Sequence, residues 1–266
     1  MAPDGSAPAG QGAPPGFDDL LALTAGDLQE IMTSPQIDRA WNSCAPVLAE
    51  LCQIEDLKTG GVNPGDRRAL FYLVSALRPK NVLEIGTHVG ASTIHIAAAL
   101  ESNYGEVGTG RLVTVDIEDV NDSPTAAWKV AGLPLSARHR IERLKGRADV
   151  TFVTATSLDF LARSNDRFDC IFLDGDHSAD AVFAELVRAP SRLNPGSVII
   201  LHDFFPDHRP LWSDGRVDHG PVGATERLRQ MGAAVEVLPL GALPWPTKFD
   251  SSVTSLAVVT KPDSTR

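Results

Sequence analysis

The chain predicts an α/β domain on a doubly wound, mostly parallel sheet, with a helical extension before it and an antiparallel pair of strands at its C-terminal edge. Three observations carry that expectation. From residue 79 onward, short apolar runs alternate with helical segments, a rhythm that calls for parallel strands joined by right-handed crossovers. The runs are apolar along their length, as strands covered on both faces are. The last two follow one another with no clear helix between them, which suits antiparallel neighbours.

Residues 1–16, "MAPDGSAPAGQGAPPG", hold Ala, Pro and Gly with one acid and cannot bury a core, so a disordered tail is expected there. Residues 17–78 read as a helical cap or oligomer region. "FDDLLALTAGDLQEIM" and "AWNSCAPVLAELCQIEDL" space their apolar residues at helical intervals. Gly60, Gly61, Pro64 and Gly65 punctuate the chain, and "PGDRRALFYLVSAL" then opens with proline in its first turn and stops before Arg78-Pro79. In the domain proper, 79–266, strands buried on both faces are expected at 81–86, 111–116, 150–155, 168–174 and 197–203. The helix "SADAVFAELVRAP" should stop at a turn, "LNPG", and the edge pair should fall within 233–240 and 254–261.

At 266 residues the chain can bury a sizeable core, and 43% hydrophobic with 22% charged residues is ordinary for a globular protein. No apolar run approaches a membrane span, and the N-terminus lacks the basic-then-apolar order of a signal peptide, so a cytoplasmic protein is expected. The three cysteines, Cys44, Cys52 and Cys170, show no CxxC spacing, which gives neither a disulfide framework nor a thiolate zinc site. With 34 acids against 24 bases the formal charge is -10, which opposes attraction to nucleic acid or anionic membrane and leaves a small molecule as the expected partner.

In such a sheet ligands sit outside the carboxyl ends of the strands, at the switch point, so strand-ending residues are the ones to inspect. The first strand runs into "LEIGTHVGAST", Glu84-x-Gly86-x-x-x-Gly90, followed by an alanine-rich helix. Its glycines let backbone approach a ligand, and Ser92 and Thr93 stand near the helix start. The spacing is not the GxGxxG of dinucleotide folds, and an acid in the turn suits a cationic amino-acid moiety better than a phosphate. An ordinary strand-to-helix turn is the alternative. The second strand ends in Asp116, placed to accept ribose hydroxyls; Ile117 could lie on an adenine face, and Thr156 and Ser157 follow the third strand.

The fourth strand ends in "IFLDGDH", more acid and imidazole than a turn requires. Asp174 there and Asp203 after the fifth strand share one rim of the sheet, and two like charges call for a counterion, most simply a divalent cation with oxygen ligands. His177, three residues after Asp174, can accept a hydroxyl proton. The long stretch "FFPDHRPLWSDGRVDHGPVGATERL" reads as a substrate lid near 204–222, with His208, Trp212 and His219 as candidate pocket residues.

Together "VLEIGTHVGAST", "VTVDIED" and "FDCIFLDGDHSADAVFAELVRAPSRLNPGSVIILHD" resemble the ordered motifs of class I S-adenosylmethionine-dependent methyltransferases, over residues 80–261. Within these, the chain is similar to metal-dependent small-molecule O-methyltransferases, the group with macrolide-sugar methyltransferases and cephalosporin hydroxylase-type proteins. The resemblance implies a Rossmann-like fold and S-adenosylmethionine as cofactor. It places the methionine part against Gly86, Thr87 and Gly90, supported by Glu84 and Ser92, and the ribose on Asp116. Ile117, Thr156 and Ser157 fall beside the adenine, and Asp174 faces the cofactor as well. It further implies Mg²⁺ or Mn²⁺ on Asp174, His202 and Asp203, His177 as base beside Asp174, a small hydroxylated acceptor of natural-product or sugar type, and a homo-oligomer. His202 is the departure, standing where the family usually has an acid; imidazole suits Mn, Fe or Zn better than Mg. Two other readings share the sheet: a nicotinamide-dependent oxidoreductase, and a protein that binds the sulfonium cofactor without transferring its methyl group.

Overall fold

The structure, a computed structural model, describes residues 17–52, 61–105, 108, 110–144, 146 and 148–262; the tail expected over 1–16 lies outside them. Before its first helix the chain runs beside the sheet. Leu20 bridges Ser197, Leu21 N donates to Ser197 O (2.8 Å) and Leu23 N to Thr260 Oγ1 (3.0 Å). Three helices follow: α1 (Ala25–Met32), opened by a Thr24–Asp27 capping box; α2 (Pro35–Leu51), capped by Ser34; and α3 (Pro64–Leu77), capped by Asn63. α2 and α3 each carry a proline at their start, where its missing N–H costs nothing.

The alternating part then reads β1 (Asn81–Ile85), α4 (Ala91–Tyr104), β2 (Arg111–Asp116), α5 (Ala127–Val130), α6 (Ala137–Arg143), β3 (Asp149–Thr154), α7 (Ser157–Arg163), β4 (Phe168–Leu173), α8 (Ala179–Arg188), β5 (Leu193–Leu201), α9 (Gly220–Gln230), β6 (Glu236–Pro239) and β7 (Ala257–Thr260). The seven strands form one sheet in the order β3-β2-β1-β4-β5-β7-β6; the first five are parallel, and β7 is antiparallel to both β5 and β6. The order reverses between β1 and β4, which opens a crevice at their carboxyl ends. This is the Rossmann-like sheet with the antiparallel edge pair that the sequence predicts.

Period-2 alternation divides the apolar residues between two layers. Val82, Leu112, Cys170, Phe172 and Ile200 meet α3 and α4, whereas Leu83, Ile85, Val113, Ile171 and Ile199 face residues of α8 and α9. The N-terminal helices share the first layer through Leu28, Met32, Leu48 and Phe71. Each fully buried Leu, Ile or Phe contributes about 1.5–3 kcal/mol, so this layer fixes α3 against the sheet and with it whatever α3 holds near the crevice.

Three details differ from the sequence reading. β3 is half exposed, not covered on both faces, because it is the edge strand. "LNPG" is no turn closing a helix; it forms the irregular start of β5, with a register shift against β4 between Phe168 and Cys170. The segment expected as a lid is shorter than 204–222, because 220–222 already form the first turn of α9.

Candidate active site

The tips of β1 and β4 come within van der Waals limits of each other. Gly86 has φ +95°, its N donates to Val115 O (2.8 Å), and a Cβ on it would lie 2.1 Å from Asp174 O. The glycine is therefore needed by the sheet itself as well as by any ligand. Gly90, with φ +76°, starts α4, and a Cβ there would meet Ala137 Cβ at 2.4 Å. Between them the turn is tied to β2: Asp116 Oδ2 accepts from Thr87 N (3.0 Å) and His88 N (2.8 Å), while Oδ1 accepts from Glu118 N (3.0 Å). Oδ1 thus keeps capacity for a further donor.

A cleft of about 1610 Å³ opens above these strand tips. Of the residues expected to hold a cofactor, Gly86, Asp116, Ile117, Thr156, Ser157 and Asp174 line it. Ile117 is 72% exposed there, an apolar surface available to a flat ring. Thr156 spends its hydroxyl capping α7, accepting from Asp159 N (3.1 Å). Thr87 is buried with its Oγ1 against Thr114 Oγ1 (2.6 Å), and Ser92 and Gly90 lie within the α4 packing, outside the lining. Glu84 is also outside it. The alternation that sends Leu83 and Ile85 to one face sends Glu84 to the other, under α4, where Oε2 accepts from Thr93 Oγ1 (2.6 Å) and Thr114 Oγ1 (2.7 Å) and Oε1 has no partner. Burial pushes this carboxyl up to about 7.

On the other side of the crevice four groups converge from the ends of β4 and β5. His177 Nε2 lies 3.3 Å from Asp174 Oδ1, and its Nδ1 lies 3.0 Å from Asp203 Oδ2 and 3.5 Å from Asp218 Oδ2. His202 Nδ1 lies 2.8 Å from Asp174 Oδ1 and 3.6 Å from Asp203 Oδ1. Asp203 holds φ +50°, a strained backbone for a residue with a side chain. Burial works against charge on both imidazoles, yet the neighbouring Asp174 and Asp203 overcome it, raising His177 to about 10 and His202 well above its usual range. The carboxyls respond in kind: against the cost of burial, His202 and His177 hold Asp174 and Asp203 below the usual range.

The donor set fits a divalent cation. His202 Nδ1 is buried and, despite its 2.8 Å approach to Asp174 Oδ1, lacks the alignment of a hydrogen bond. Donors about 2.1 Å from an octahedral ion at right angles are about 3 Å apart, so the pair is spaced like two ligands of one ion. Two overlapping groups, Asp174–His177–His202 and His177–Asp203–Asp218, each bring their donor atoms within 4.8 Å of one another.

Across residues 83–204 the chain matches the family model described as a methyltransferase domain. Over 180 residues it is 29% identical to a catechol O-methyltransferase of Niastella koreensis, covering 66% of this chain and 72% of that protein. The chain is thus similar in sequence to S-adenosylmethionine-dependent O-methyltransferases. Its fold is that of solved methyltransferases. One is the O-methyltransferase from Bacillus cereus in complex with S-adenosylhomocysteine (TM-score 0.56, 23% identity, 87% of this chain and 100% of that one). Another is an O-methyltransferase from Streptomyces achromogenes involved in tomaymycin synthesis, in complex with S-adenosylmethionine (TM-score 0.52, 20% identity, 84% and 90%).

The cleft continues along the segment between β5 and α9. Trp212 lines it, with Nε1 donating to Val253 O (3.1 Å) and Lys248 Nζ 3.6 Å from its ring centroid. His208 and His219 do not line it; they pair with each other, Nδ1 to Nδ1 at 3.0 Å, and His208 Nε2 lies 3.4 Å from Glu226 Oε2. Sequence reasoning missed Asp218, Glu185 and Lys248, which line the cleft, and Asp66, which faces His202. Asp218 sits beside His219 in the lid stretch and shared its signal. Glu185 and Asp66 sit inside helical patterns where an acid reads as a solvated face, and nothing in the sequence marks them as buried. Among the described residues no helix is long and apolar enough to cross a membrane.

Proposed function

We propose that this enzyme transfers the methyl group of S-adenosylmethionine to a hydroxyl of a small acceptor of natural-product or sugar type. His177 serves as base, and Asp174, His202 and Asp203 would hold a divalent cation, Mg²⁺ or Mn²⁺. The observation that carries this reading is the convergence of Asp174, His177, His202 and Asp203 on the rim of a cleft that also runs past Gly86 and Asp116.

In this reading the nucleoside lies across β1, β2 and β3. Asp116 Oδ1 accepts a ribose hydroxyl, Ile117 covers one face of the adenine, and Ser157 stands at its edge. Gly86 and Thr87 carry the methionine part, with Glu84, Gly90 and Ser92 supporting the turn from behind. A bound divalent cation would supply positive charge that stabilises the deprotonated acceptor oxygen and engages the carboxylates that otherwise keep His177 protonated. His177 then accepts the hydroxyl proton. The oxygen forms a bond to the methyl carbon as the carbon–sulfur bond breaks, the electron pair stays on sulfur, and S-adenosylhomocysteine leaves. Trp212 and the rest of the lid hold the acceptor in line and exclude water, which supplies much of the rate through positioning. We also take residues 17–78 as a helical cap or an oligomer contact of a cytoplasmic enzyme, and light scattering of the purified protein tests the oligomer.

The direct test incubates the protein with S-adenosylmethionine and a panel of hydroxylated acceptors, catechol included because a relative is named for it. Methyl ethers are followed by mass spectrometry. Turnover that disappears in Asp174→Ala while S-adenosylhomocysteine still binds supports the reading. Undiminished turnover after chelator treatment removes the cation from it.

A further inference from the structure

His202 is the residue that departs from an all-oxygen cation site, and its second ring nitrogen is not left to chance. Its Nε2 donates to Asp66 Oδ2 (3.3 Å), a carboxylate with 0% exposure. Asp66 comes from α3, outside the alternating part of the fold, in that helix's first turn, with its N donating to the capping Asn63 Oδ1 (3.0 Å). The turn is clamped from the other side: Trp245 Nε1 donates to Gly65 O (3.0 Å), and a Cβ on Gly65 would lie 2.5 Å from Pro246 O, so nothing larger than glycine leaves Asp66 where it is. Ser255 Oγ lies 3.4 Å from Asp66 Oδ2 and 3.2 Å from Asp203 Oδ1, linking the same carboxylate to a second member of the site.

We propose that Asp66 is a positioning residue of the cation site. By accepting the Nε2–H of His202 it fixes the ring's tautomer and orientation, so that the Nδ1 lone pair points at the space shared with Asp174 and Asp203. A carboxylate behind a ligating imidazole also raises the basicity of the ligating nitrogen. The consequence is a site with an imidazole among its carboxylates that favours Mn²⁺ over Mg²⁺, because Mg²⁺ takes oxygen donors and tolerates nitrogen poorly. The inference rests on the cation reading above and goes beyond it, in that it assigns a role to a helix the reaction does not otherwise use.

The test is a double-mutant cycle read by calorimetry on the full chain. Metal-stripped protein saturated with S-adenosylhomocysteine is titrated with Mn²⁺ and with Mg²⁺, for wild type, Asp66→Asn, Asp66→Ala, His202→Asn and the Asp66–His202 double variants. Thermal unfolding without metal checks that each variant is folded, and the near-isosteric Asp66→Asn serves where the alanine variant does not fold. Mn²⁺ affinity should fall by about 10–100-fold on loss of the Asp66 carboxylate. That loss should vanish in the His202→Asn background, and wild type should prefer Mn²⁺ more strongly than His202→Asn does. An equal loss in both backgrounds, or no loss in either, overturns the role of Asp66 while leaving the cation reading intact. A wild type that binds neither ion overturns both.

Discussion

Replacing Gly86 by alanine tests whether the tips of β1 and β4 meet as closely as the site requires. The new Cβ would stand 2.1 Å from Asp174 O and 2.6 Å from its carbonyl carbon, and the backbone there holds φ +95°. The left-handed conformation costs a residue with a side chain roughly 1–2 kcal/mol. Forcing a methyl against packed backbone costs typically about 1–3 kcal/mol more. Relief has to come from Asp174, whose N donates to Ile85 O (2.9 Å), so the residue pushed aside is the one on which both the cleft and the His177–His202 cluster depend. The expected destabilisation is about 2–5 kcal/mol, a fall in Tm of roughly 5–15 °C for a domain of this size. Gly232→Ala supplies the control: it shares a positive φ, +85°, but its Cβ would meet nothing within 4 Å, so it isolates the conformational part. Differential scanning fluorimetry of both variants, with calorimetry of S-adenosylhomocysteine binding, measures the difference. Gly86→Ala should melt below Gly232→Ala and bind the product at least about tenfold more weakly, equivalent to about 1.4 kcal/mol. Equal melting temperatures and wild-type affinity would refute the close approach.

Other variants probe other parts of the site. Glu84, raised to about 7 by burial from an unfolded value of 4.5, contributes stability that is fully present below pH 4.5 and lost as pH rises through 7. A carboxyl displaced that far in the folded state loses about 3 kcal/mol of stability across this range, at roughly 1.4 kcal/mol for each pH unit between its folded and unfolded values. Glu84→Gln should therefore gain on wild type in urea denaturation between pH 4.5 and 8, and a pH-independent difference would contradict the burial argument. Asp116→Ala strands the amides of Thr87, His88 and Glu118 and removes the ribose acceptor; hydrogen bonds to a charged group are worth about 1.5–3 kcal/mol, so calorimetry should show roughly 10–100-fold weaker S-adenosylhomocysteine binding. Trp212→Ala, at the lid end, should raise the acceptor KM while leaving cofactor affinity unchanged, and a matching loss of cofactor affinity would move Trp212 out of the acceptor pocket.

The strand positions were legible because uninterrupted apolar runs between helices leave little choice of architecture, and the strand ends then named Asp116, Asp174 and Asp203 as cleft residues. The order of strands in the sheet left no such trace. "VTFVTA" reads like its neighbours, and only assembly reveals β3 as an edge. Glu84 could have been placed more accurately, since Val82 and Glu84 share a parity opposite to that of Leu83 and Ile85, a signal outweighed by its nearness to the glycine turn. Asp66 could not: it meets His202 across 136 positions of chain, and that pairing is a product of how α3 packs on the sheet. The same packing turns the cluster from a set of acids into an alternation of carboxylates and imidazoles, which the order of residues in "DGDH" and "LHD" does not convey.

Crystals grown with S-adenosylhomocysteine and Mn²⁺, with data collected where manganese scatters anomalously, test the central claim most directly. One anomalous peak is expected within bonding distance of Asp174 Oδ1, His202 Nδ1 and a carboxylate oxygen of Asp203, with the nucleoside lying past Gly86 and Asp116. A map with no peak there, the His177 ring still seated between Asp174 and Asp203, and the product bound elsewhere would contradict it.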